Sequence, residues 1–191
     1  MLATVVLLGL VLVAAGTDLR RHKIYNWTTY PGILVALGLN AVGEVLLVTT
    51  DMDSTRLRTT LGYIGFWQSA LGLLACGLLM LVCFVLFKVG GGDVKLIAML
   101  GAFLGPEDGI ETMLWTFVLG GCMGLIVLIW RVGAVRVTAR AFRQLVYTLR
   151  LGRWSPLTDE ERSQLQPPLF LAPCAVAAVV IVRFRLLDAL M

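Results

Sequence analysis

Two aspartates are the residues of this chain best placed to do chemistry. One stands in TDLRRHKIYNW, residues 17–27, and the other in KVGGGDVKL, residues 88–96. Both border long apolar runs, where an ionisable side chain is costly and counts as a functional candidate by default. Two carboxylates in a small, partly dehydrated site cannot both ionise cheaply, so they hold one proton between them and titrate as a unit. The ionised member can take a proton from water. The protonated member can polarise a carbonyl and later assist a leaving amine. This chemistry calls for no metal, serine or histidine, and no cofactor is expected.

The glycines before the second aspartate fit the same reading. Gly90, Gly91 and Gly92 remove side chains beside Asp93, which lets an extended substrate backbone approach and permits φ > 0. They also loosen the join between the flanking apolar runs. The bland alternative is a glycine hinge in which Asp93 N-caps the next helix. Local pattern leaves cap and catalyst equally open, and the two roles are compatible.

The elements that must position these residues are membrane helices. The 191 residues are 59% hydrophobic and 15% charged, with mean hydropathy +0.88. Soluble domains carry about 25% charge. The expected fold is all-α, a polytopic bundle of about six transmembrane helices forming one membrane-embedded domain over residues 1–191. The expected spans are 2–16, 27–48, 61–87, 94–104, 113–130 and 169–182. The fourth has eleven residues, about 16 Å of helix. It reads as a short crossing covered by its neighbours rather than as a re-entrant segment.

Charge then orients the bundle. The connections after spans one, three and five, together with Lys95 at the start of span four, hold twelve of the sixteen basic residues, while PEDGIE is purely acidic. The odd connections are therefore cytoplasmic and the N-terminus is outside. Arg183 and Arg185 break the trend on the far side. The net charge of +4 thus speaks of orientation in lipid, with no nucleic-acid partner expected. Connection 131–167 repeats arginine at helical spacing and is expected to be a cytoplasmic amphipathic segment on anionic headgroups. Two crossings separate Asp18 from Asp93, so the chain returns to the same face and both lie on the cytoplasmic side.

Other titratable groups read as structural. Glu44 is expected to be an interfacial charge at the outer end of span two, and His22 a loop residue. Cys76, Cys83, Cys122 and Cys174 lie in apolar segments without metal-ligand or disulfide spacing, so they read as small hydrophobes and no metal site is expected.

With these residues in view, the chain resembles the type IV prepilin peptidases, membrane aspartic proteases with a GxGD motif. GGGDVKL, residues 90–96, is similar to the family's GxGDxKL block. Asp18, Ile24 and Asn26 match its first-aspartate region, with Tyr25 where the family usually has proline. The segment 168–180 is similar to the family's proline-containing last helix. The resemblance implies catalysis by residues corresponding to Asp18 and Asp93, with Lys95 and Asn26 in supporting or substrate-contacting roles. It implies prepilin or pseudopilin substrates that lose a basic leader in the bacterial inner membrane, and a small peptidase-only member like those serving Tad-type pili, without the N-methylating domain. Lys95 is read equally well as a snorkelling interfacial lysine. The alternative function is a proton-coupled small transporter, which also uses intramembrane carboxylates and broken helices. A non-catalytic scaffold ranks below both.

Overall fold

The computed structural model describes residues 1–21, 24–49, 54–87, 90–132 and 171–186, and every regular element among them is helical. In chain order these are α1 (Leu2–Arg21), α2 (Asn26–Thr49), α3 (Ser54–Thr60), α4 (Phe66–Phe87), α5 (Gly91–Leu104), α6 (Pro106–Val132) and α7 (Leu171–Arg183). Helices α1, α2, α4 and α6 are long and apolar enough to cross a membrane. The expected all-α membrane class therefore holds. The expected fourth and sixth crossings correspond to the shorter α5, of 14 residues, and α7, of 13. The expected amphipathic connection, with His22, Lys23 and Lys88, lies outside the described residues.

Caps explain where the boundaries move. Helix α1 continues through Arg21, so Asp18 lies inside it instead of following it. The third span starts at Phe66 rather than Leu61, because Gly62 and Gly65 adopt φ of 77° and 102° and break the helix. The short α3 ahead of that break was not expected. Gly105 ends α5 at φ 87° and donates its N–H to the Gly101 carbonyl. Pro106 follows as the first residue of α6, where its missing N–H costs nothing. Glu107 and Asp108 then sit in the first turn, the favourable end of the helix dipole for acids.

The chain divides into two compact units, Met1–Phe117 with Phe170–Met191, and Val118–Leu169. In the second, the described residues are the last turns of α6, with exposed Met123, Leu125, Ile126 and Trp130. In the first, α5 is the central helix and packs against α1, α2, α4 and α7. Residues 96–105 are buried without interruption. A helix that is apolar all round belongs inside a bundle, and so α5 shows no amphipathic stripe.

Small residues let α4 approach α5. A Cβ on Gly72 would strike the Gly101 carbonyl oxygen, and a Cβ on Gly101 would strike that of Gly72 and the Cys76 side chain. Backbone contact of this kind is the usual device for helix association in lipid. Ser69 adds a hydroxyl that donates to the Ala102 carbonyl at 2.6 Å. Helices α1 and α7 run antiparallel and are fastened at both ends: Arg183 Nε donates to Thr4 Oγ1 at 3.0 Å, and the Ala172 N–H donates to Asp18 Oδ2 at 3.4 Å. One of the two arginines that break the charge trend thus has a structural partner.

Glu44 does more than sit at an interface. One carboxylate oxygen accepts from the Tyr63 hydroxyl and from the Phe66 N–H, both at 3.1 Å. It caps the first turn of α4 from α2. Asn40, one turn earlier, accepts from the Ile64 N–H at 3.0 Å and is itself buried. Together they clamp the break between α3 and α4 and so fix how α4 enters the bundle.

Candidate active site

Asp18 lies in the penultimate turn of α1 and is 7% exposed. That is the unfavourable end of its own helix for a negative charge. The compensation comes from α7, whose first described turn presents the Ala172 N–H to the carboxylate. A contact across 154 residues cannot be read from local sequence, although the match to a proline-containing last helix pointed at this segment.

Asp93 stands before the apolar stretch 94–104, in the first turn of α5. Gly90 is the N-cap, so the alternative in which Asp93 itself N-caps the helix does not hold. The helix starts at Gly91, which makes Asp93 its third residue. From there the side chain reaches back to the Gly90 N–H, the acidic half of a capping box. The Asp93 N–H donates to the Gly90 carbonyl at 3.0 Å. Burial and the neighbouring Asp18 carboxylate push Asp93 up to about 6, and the Gly90 N–H acts in the opposite direction. The two acids named from the sequence therefore lie close enough to sense each other's charge. Asp93 is held in the first turn of α5, and Asp18 against the first described turn of α7.

The three glycines divide into different tasks. A Cβ on Gly90 would lie 2.9 Å from Asp93 Oδ2, so a side chain there would crowd the carboxylate. A Cβ on Gly91 would meet only Phe84, at 4.0 Å. A Cβ on Gly92 would come 3.0 Å from Ile24 Cβ and 3.4 Å from the Ile24 carbonyl oxygen. Gly92 is thus where the second aspartate block packs onto the segment that follows the first. None of the three has positive φ; what they contribute here is close approach.

Lys95 and Asn26 meet. Lys95 Nζ donates to Asn26 Oδ1 at 2.8 Å and lies 4.9 Å from the centre of the Tyr30 ring, within cation–π range. Tyr30 carried no sequence signal. It sits four residues after Asn26 on α2, the spacing that puts both on one helix face. Arg21, in the last turn of α1, donates to the Tyr25 hydroxyl at 3.0 Å.

These observations define a helical membrane protein with two interacting acids at the junction of α1, α5 and α7. Residues 5–125, more than half of the chain, match the type IV leader peptidase family, and the chain belongs to that family. The match contains Asp18, Asn26, the glycines, Asp93 and Lys95. It makes the chain a peptidase by family. No curated protein and no solved structure matches it.

Proposed function

We propose that this chain is an aspartic endopeptidase that removes the basic leader peptide from type IV prepilins or pseudopilins at the cytoplasmic face of the bacterial inner membrane. The observation that carries the reading is the apposition of Asp18, which accepts from the Ala172 N–H, and Asp93, in the first turn of α5, in a chain of the type IV leader peptidase family. Family membership also favours peptidase over transporter.

In the proposed reaction the pair holds one proton. The ionised carboxylate takes a proton from water as the oxygen attacks the scissile carbonyl carbon. The protonated carboxyl donates to the carbonyl oxygen, which carries the developing charge. The resulting tetrahedral adduct collapses as the carboxyl that took the water proton gives it to the departing amine, while the other carboxylate takes a proton back from a hydroxyl of the adduct, and the pair returns to its singly protonated state. The exposed Gly90 and Gly91 leave room for an extended substrate beside Asp93. Orientation follows from the basic connections. The exposed apolar side chains of α2 and α4, among them Leu34, Val45, Leu78 and Val85, face lipid in this reading.

Co-expression of the chain with a pilin precursor tests the proposal. Conversion to the mature size is expected with the wild-type chain and not with Asp18→Asn or Asp93→Asn. Processing that survives either substitution would sink the dyad.

A further inference from the structure

Resting on the peptidase reading, we infer that Lys95 is a positioning residue: anchored by Asn26 and Tyr30, it ties the start of α5 to the start of α2 and thereby sets where Asp93 stands relative to Asp18. Lys95 is only two residues from Asp93, yet its Nζ is committed to Asn26 Oδ1 at 2.8 Å and to the Tyr30 ring at 4.9 Å. Among the described residues, the groups that act on the Asp93 carboxylate are Asp18 on α1 and the Gly90 N–H. Lys95 therefore does not serve as a counter-ion to Asp93.

The geometry gives this tie mechanical meaning. Helix α5 opens on glycine, with Gly90 as its N-cap and Gly91 and Gly92 as its first two residues, which leaves its first turn little intrinsic stiffness. Asp93 lies in that turn. Two contacts hold the turn from the α1–α2 side: Gly92 against Ile24, and Lys95 against Asn26 and Tyr30. Ile24 lies between α1, which carries Asp18, and α2, which Asn26 begins. The lysine tie thus joins the start of α5, which carries Asp93, to the start of α2, the helix that follows the Asp18-bearing α1.

The test has one arm in activity and one outside it. Lys95→Met and Asn26→Ala are each expected to lower kcat about tenfold, with the double variant no worse than the poorer single. Lys95→Arg, which can still donate to Asn26 and stack on Tyr30, is expected to recover most of the loss. The pH profile separates positioning from charge. If Lys95 stabilised the Asp93 anion directly, its removal would raise the pH at which the shared proton is lost. A loosened pair repels less, so positioning predicts that this limb moves to lower pH.

The second arm is a spin-label distance between Trp27→Cys on α2 and Gly91→Cys on α5, in the full chain in nanodiscs with the four native cysteines replaced by alanine. Both sites are exposed. A single narrow distribution is expected with Lys95 present and a broad one with Lys95→Met. An unchanged distribution, additive losses in the double variant, or an upward shift of the pH limb overturns the inference. Absence of cleavage by the wild-type chain would instead count against the peptidase reading, and the distance measurement would still decide the tie.

Discussion

Gly92→Ala is the most informative small change the structure offers. The new methyl would lie 3.0 Å from Ile24 Cβ and 3.4 Å from the Ile24 carbonyl oxygen. Carbon atoms pack best at about 3.5–4.0 Å, so the segment carrying Ile24 and the start of α5 must separate by roughly half an ångström. Overpacking of this kind costs about 1–3 kcal/mol. Alanine returns about 1 kcal/mol through helix propensity, which leaves a net loss of about 0–2 kcal/mol. The effect on catalysis is expected to be larger than the effect on stability. A 1 Å misplacement of a reacting group can cost about a hundredfold, so half of that predicts about tenfold in kcat. Gly91→Ala supplies the comparison, because its methyl meets only Phe84 at 4.0 Å. It should gain the propensity term without the clash and unfold at or above the wild-type temperature. Thermal unfolding in detergent and initial cleavage rates of a pseudopilin precursor read both quantities. Wild-type rate and wild-type stability for Gly92→Ala would show that the two blocks do not meet as described.

Three further outcomes follow from the same contacts. Glu44→Ala leaves the Tyr63 hydroxyl and the Phe66 N–H without their acceptor. It should cost about 1–3 kcal/mol in thermal or denaturant unfolding, with kcat little changed. Because Asp93 is pushed from 3.8 up to about 6, the folded chain binds its proton more tightly than the unfolded chain does. That contribution is harmless below about pH 4 and lowers stability as pH rises through about 6. Asp93→Asn should therefore be more stable than wild type at about pH 7 to 8 and lose the advantage near pH 4, while being inactive; equal stability at both pH values would contradict the burial of this acid. Gly72→Ala puts a methyl into the backbone of α5 at Gly101, and membrane-inserted, protease-resistant protein is expected to fall sharply.

Much of this arrangement is legible in the sequence because membrane constraints act on composition and spacing. Apolar length marks out α1, α2, α4 and α6, and the even number of crossings puts Asp18 and Asp93 on one face through connectivity alone. Asn26 and Lys95 stand out in their blocks, though not as partners. The missing information is of two kinds. Helix ends depend on caps that bind across the fold: Glu44 sets the start of α4 from another helix, and α1 carries Asp18 inside its last turns because α7 supplies a backbone donor. Roles within GGGD depend on what each Cβ would touch. Identical residues at 90, 91 and 92 meet a carboxylate, near-open space and a neighbouring segment respectively, and sequence gives no means of telling them apart. Tyr30 escapes a sequence reading because an interfacial tyrosine has an ordinary explanation and its partner, Lys95, is far along the chain.

The central claim is that Asp18 and Asp93 act as one catalytic unit, and cleavage of a purified pseudopilin precursor by the full chain in lipid vesicles tests it most directly. The account predicts that Asp18→Asn, Asp93→Asn and the double variant all lose activity to a similar residual level, because removing either acid destroys the shared proton. Single variants that retain substantial cleavage, or losses that multiply in the double variant, would contradict it.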